Sequence, residues 1–173
     1  MTDFGAGGAP GSADPRTVPS RRGSGRYDPW SDARQNWPAV QVVIEPMRGN
    51  LLGEVRGEPP VIALRAGTSS AQRRCTLAHE IVHLERGVSE CGPWQAREEH
   101  RVHLEAARRL IPSDALRAAI RDLGGSDDLA ALAGLLEVDM DTIRLRIRSL
   151  SPAEDAMIRT SLADVAGELW AVA

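Results

Sequence analysis

The run His79-Glu80-Ile81-Val82-His83 constrains this chain more than any other five residues. Positions i and i+4 share one face of a helix, so two imidazoles at this spacing reach one metal ion together. Glu80 follows the first of them by one residue, which places its carboxylate beside the metal rather than on it. There it takes a proton from a metal-activated water. The same helix carries an apolar stripe, Cys75, Ala78, His79, Val82 and His83, so the imidazoles turn toward the fold and need partners there. The sequence also supplies both ends of this helix. Ser69-x-x-Gln72 is a capping-box pattern, and Gly87 is a stop one turn beyond His83.

A catalytic zinc takes three protein ligands and keeps one position open. The remaining histidines, His100 and His103, lie on the next helical segment, expected from Pro93 or Trp94 to Leu110. Its apolar stripe is Val102, Ala106 and Leu110, at i, i+4 and i+8. Glu99 and His103 fall on that stripe, whereas Glu98, Arg101, Glu105 and Arg108 fall on the solvated side. A carboxylate on the inward face needs a cation, which makes Glu99 the expected third ligand and Zn2+ the expected cofactor. His103, one turn on, is either an outer partner that holds a ligand in place or the ligand itself. Cys75 and Cys91 are further thiols near the helix pair. A fourth ligand from Cys75, Cys91 or His103 would close the site and make the zinc structural; without one, the site is catalytic.

His79-Glu80-Ile81-Val82-His83, then Glu99, then a helix ending Arg109-Leu110-Ile111-Pro112, resembles the ImmA/IrrE metallopeptidases. The resemblance runs over about residues 40 to 150. Glu99 falls on that family's third-ligand Glu, and His103 stands where the family has Asn or Asp. The resemblance implies a zincin-like fold and a zinc peptidase, gluzincin-like in its ligands, with Glu80 as the catalytic base. It further implies a role in the regulation of prophages or mobile elements, the protein substrate being a helix-turn-helix repressor. Candidates for stabilising the oxyanion are His103, His100 and Arg101, with Tyr27 a remote one.

Around the helix pair, the chain reads as an α+β fold. Residues 1–38 begin with a stretch rich in Gly, Pro, Ser and Arg that cannot bury enough apolar surface to offset its ordering entropy, so a disordered leader is expected. Its Tyr27, Trp30 and Trp37 form an aromatic patch able to dock on the domain. Residues 39–125 are the expected peptidase core. Three short β-branched runs, broken at Arg48-Gly49-Asn50 and at Gly57-Glu58-Pro59-Pro60, suggest a small antiparallel three-stranded sheet. Its last strand, Val61 to Leu64, is the expected partner for an extended substrate. Residues 126–173 are an expected helical C-terminal subdomain. A further helix, capped by Ser113 or Asp114, precedes it. Inside it, helices on either side of Glu137-Val138-Asp139-Met140 resemble a helix-turn-helix, and an amphipathic helix is expected over Pro152 to Trp170.

Composition sets the remaining bounds. The formal charge is −3, and all the basic residues are arginine. Asp127, Asp128, Glu137, Asp139 and Asp141 crowd the helix-turn-helix-like segment, so nucleic-acid binding is not favoured. No apolar run is long enough to span a membrane, and the first ten residues lack the apolar core of a secretory signal. Two cysteines make no disulfide framework, which points to a cytoplasmic location. The competing class is a DNA- or protein-binding regulator with a structural zinc.

Overall fold

A computed structural model describes residues 26–87, 95–126 and 128–160. The elements run α1 (Pro29–Asn36), β1 (Gln41–Glu45), β2 (Gly53–Arg56), β3 (Val61–Arg65), α2 (Ser70–Arg86), α3 (Gln95–Leu110), α4 (Ser113–Asp122), α5 (Leu129–Leu136) and α6 (Met140–Arg148). Residues 152–160 are helical as well. Among the described residues no helix is long and apolar enough to cross a membrane.

The three strands form one sheet in the order β1-β3-β2. β2 pairs antiparallel with β3, but β1 runs parallel to it, with Val42 opposite Ile62. The sheet is therefore mixed, not antiparallel as the sequence suggested. The cause lies in the strands' own patterns. Ile62, Ala63 and Leu64 are all fully buried, so this continuous apolar run takes the centre, where both faces are covered. β1 and β2 are less deeply covered, each with exposed residues, and take the edges. The loop from β1 to β2 is held by one side chain. Arg65 Nε donates to Leu51 O at 2.6 Å, and its guanidinium also bonds the Gly49 carbonyl.

α2 is the central element because it is apolar on two sides. At about 100° per residue, Leu77 and Ile81 point one way and Cys75, Ala78 and Val82 another. The first pair packs with Ile62, Leu64 and Ala33 beneath the sheet. The second set joins Val102, Ala106 and Leu110 of α3 in a larger cluster that extends to Leu132, Ile143 and Ile158. Both ends of α2 match the sequence signals. Gln72 N donates to Ser69 Oγ at 3.1 Å, Ser69 N donates to Gln72 Oε1 at 3.0 Å, and Gly87 follows with φ 78°.

Two boundaries differ from expectation. Residues 29–36, inside the stretch expected as a leader, form a helix capped by Asp28. Trp30 and Trp37 pack against the cluster beneath the sheet, and Asp32, although buried, accepts from Tyr27 OH at 2.7 Å and from Asn36 Nδ2 at 2.9 Å. α4 begins at Ser113 itself, with Pro112 in the cap position and no side-chain cap. Ser113 has another partner, since its hydroxyl donates to Glu154 and accepts from Arg146 at 3.1 Å.

Among the described residues after 126, Leu132, Leu136, Ile143 and Ile158 join the apolar cluster of α2 and α3. Asp128 caps α5 through Ala130 N, Glu137 ends it in the left-handed region at φ 55°, and Asp139 caps α6 through Thr142 N. Arg74 of α2 fixes this corner by donating to Leu136 O at 3.2 Å, Glu137 O at 3.0 Å and Tyr27 O at 2.8 Å, while Arg26 donates to Leu135 O at 3.0 Å. Arg146 of α6 is buried, donates to Ile111 O at 2.8 Å and pairs with Glu154. The part of the expected last helix beyond residue 160 lies outside the described residues.

The bonds to Ser113, Ser151 and Arg146 hold the Glu154 carboxyl well below the usual carboxylate range. A depressed native pKa contributes stability that is complete above the unfolded value of about 4.3 and is lost as pH falls toward the native one. Glu154→Gln should therefore lower the melting temperature by several degrees at pH 7. The gap to the parent should narrow as pH falls below about 4, as read by thermal unfolding across pH.

Candidate metal centre

The third face of α2, between the two apolar sides, presents Thr76, His79, Glu80 and His83 to a cleft of about 430 Å3. The rotation of the helix divides their company. His79 leans toward α3, and Glu80 leans toward the sheet. α3 contributes Glu99 and His103 from the opposite wall, carried on the stripe whose Val102, Ala106 and Leu110 are buried.

The donor atoms converge. His79 Nε2 lies 3.0 Å from His83 Nε2 and 2.9 Å from Glu99 Oε1, and His83 Nε2 lies 3.2 Å from Glu99 Oε2. Among the described residues, His79, His83 and Glu99 are the group able to hold a metal ion. Burial, reinforced by His103 and His83, pushes His79 down to about 3, so its ring is the neutral, ligand-competent form at ordinary pH. The other ring nitrogen of His79 is engaged too: its Nδ1 lies 2.8 Å from His103 Nδ1. One proton serves that contact, so one ring donates and the other accepts. His103 thus touches His79 from behind, with its side chain half exposed.

Glu80 is buried on the same face without being one of the three converging donors. Burial, with Glu99 and Glu54 nearby, pushes its carboxyl up to about 7. Such a group exchanges a proton near neutrality.

The remaining candidates separate clearly. Glu98 pairs with Arg86 and Arg101 across the outer side of α2 and α3. Arg101 and His100 are exposed and do not line the cleft, and Tyr27 gives its hydroxyl to Asp32. Of the four oxyanion candidates, only His103 borders the cleft. Cys75 lines it, but its Sγ accepts from Asp139 N at 3.4 Å and does not converge with the three donors; burial pushes its thiol up to about 11. Cys91 lies outside the described residues.

Several cleft residues were not singled out from the sequence. Leu51, Leu52 and Gly53 form one lip; Asp139, Asp141, Thr142 and Leu145 of the α5–α6 corner form the other. A glycine at the start of a β-branched run was the available signal for the first lip. The second depends on long-range packing that no local pattern encodes.

Two imidazoles one turn apart, a carboxylate from the following helix and a second, unligated carboxylate between them define the site of a metal-dependent hydrolase. Residues 38–148 match the model of the IrrE N-terminal-like domain, a peptidase family, and the chain belongs to that family. No curated protein and no solved structure matches the chain.

Glu99→Ala should lose Zn2+ affinity by more than about 100-fold, beyond the usual cost of an outer partner, whereas Glu98→Ala should stay close to the parent. Metal titration of both variants measures this, and equal affinities would count against Glu99 as a ligand.

Proposed function

We propose that this protein is a zinc-dependent endopeptidase whose substrate is a regulatory protein, the candidate being a helix-turn-helix repressor of a prophage or mobile element. The observation that carries the reading is the convergence of His79, His83 and Glu99 on one point of a cleft that Glu80 also faces. Ligand atoms at 2.9–3.2 Å from one another fit a tetrahedral zinc, whose bond lengths of about 2.0–2.1 Å set ligands roughly 3.3 Å apart. Bound there, zinc supplies a Lewis acid that lowers the pKa of water and polarises a carbonyl.

The chain's own residues supply the rest. Glu80 accepts the water's proton and returns it to the leaving amine. His103 holds the His79 ring through the Nδ1 contact, which leaves Nε2 directed at Glu99 and His83. The substrate docks on β2, not on β3 as its position before the metal helix suggested, because among the described residues β3 is paired on both sides and β2 on one. Leu52 O accepts from Arg65 N at 2.8 Å, so by antiparallel alternation the N–H and C=O of Gly53 turn to the free side. An extended peptide adding there passes directly over the cleft.

The competing reading, a regulator with a structural zinc, lacks support on two counts. No fourth donor joins the three among the described residues. The α6 helix that would read DNA instead packs on α3 and lends Asp141, Thr142 and Leu145 to the cleft.

Glu80→Gln should keep zinc and the melting temperature while hydrolysis of the candidate repressor falls by about 10²–10⁴-fold; an active variant would remove Glu80 from the mechanism. His103→Ala should weaken zinc binding by about 10–100-fold. His103→Asn should restore most of it, since an amide oxygen can accept from His79 Nδ1. Metal titration of the two variants separates positioning from bulk packing.

A further inference from the structure

Glu80 is one of the few buried charged groups among the described residues, and what stands against it is bare backbone. Gly53 opens β2 at the lip of the cleft and is itself buried. A Cβ built there overlaps Thr76 Cγ2 and lies 3.0 Å from Glu80 Oε1 and 3.3 Å from Ala63 O. The backbone at Gly53 does not need positive φ, because Gly53 is absent from the residues with that conformation. Its requirement is close approach alone.

We infer that Gly53 is a positioning residue for Glu80: the missing side chain lets the edge strand press onto α2, and the strand then fixes where the Glu80 carboxylate stands over the cleft. The inference deepens the peptidase reading and rests on it. The strand that aligns the substrate backbone and the strand that seats the base are the same, and both functions meet at one residue. The carboxylate has a narrow position, with the metal donors on one side and the Gly53 backbone on the other. A side chain at 53 obliges Oε1 to give way from that wall. Arg65 contributes at a distance, because its bonds to the Leu51 and Gly49 carbonyls hold the approach to Gly53.

The two side-chain contacts of that Cβ, to Thr76 and to Glu80, can be tested apart. Thr76→Ser removes the overlapping methyl yet keeps the hydroxyl that donates to Gln72 O at 2.8 Å. Gly53→Ala alone should lower the melting temperature. Gly53→Ala with Thr76→Ser should regain most of the melting temperature and the Co2+ stoichiometry of Thr76→Ser, because the contacts that remain, Glu80 Oε1 at 3.0 Å and Ala63 O at 3.3 Å, ask for only a small adjustment. Hydrolysis of fluorescein-labelled casein by the double variant should still fall, through kcat rather than KM, toward the roughly 10²-fold cost of a misplaced reacting group. The visible spectrum of the Co2+ form should also depart from that of Thr76→Ser, as that of Glu80→Gln departs from the parent. A double variant with the turnover and cobalt spectrum of Thr76→Ser would make Gly53 a packing residue only and overturn the inference. If the parent binds Co2+ but cleaves neither casein nor the candidate repressor, the peptidase reading fails and the spectra alone decide on Gly53. A parent that binds no Co2+ overturns both.

Discussion

The structure depends on the cost of drawing two imidazoles and the Glu80 carboxylate out of water, with Glu99 facing them from the next helix. That cost is several kcal/mol for each unpaired ion, so the arrangement persists only where packing is strong and partners are complete. α2 meets the first condition by being apolar on two sides, one toward the sheet and one toward α3. The ion pairs around it help with the second. Glu85 takes Arg109 at 2.8 and 2.6 Å, and Glu98 takes Arg86, so α2 and α3 are tied on the outside while Glu99 stays directed inward. Neighbouring acidic residues, Glu98 and Glu99, thus have opposite fates because they sit 100° apart on one helix.

Much of this was legible in the sequence because it is local. The apolar stripe of α2, its capping box and its terminal glycine marked the helix, and the Val102-Ala106-Leu110 stripe singled out Glu99 over Glu98; the second apolar side of α2, Leu77 and Ile81, emerges only with the sheet packed on it. The sheet was less legible. Strand existence follows from β-branched runs, but strand order depends on which run is buried on both faces, and the parallel pairing of β1 with β3 is a tertiary outcome. The aromatic residues around Tyr27 were noticed, whereas the helix between them was not, since its short, polar face carries little periodicity. His103 beside His79 Nδ1 was within reach of helical spacing. The role of Gly53 was not, because it arises from the approach of a strand to a helix more than twenty residues away.

Helices with a helix-turn-helix-like spacing need not face nucleic acid. Here Asp139 ends the turn by capping α6, and the first turn of α6 borders the cleft. The helix pair shares one apolar cluster with α2 and α3, so it behaves as a wall of the same domain. The Arg146 contacts with Ile111, Ser113 and Glu154 lock that wall to the corner where α3 ends. The cleft therefore has one lip built from an edge strand and another built from a helix corner, and the two differ in chemistry.

Arg74 gives this asymmetry a further meaning. A single guanidinium spans carbonyls 47 residues before it in contact and 63 after it, at Tyr27 and at Glu137. It neutralises the negative end of α5 while closing two long loops of chain at once. The first described residues and the far lip of the cleft therefore form one cooperative unit, although they are distant in sequence. Tyr27 does not line the cleft, yet the guanidinium that holds its carbonyl also holds the end of α5, just before the Asp139 that borders the cleft.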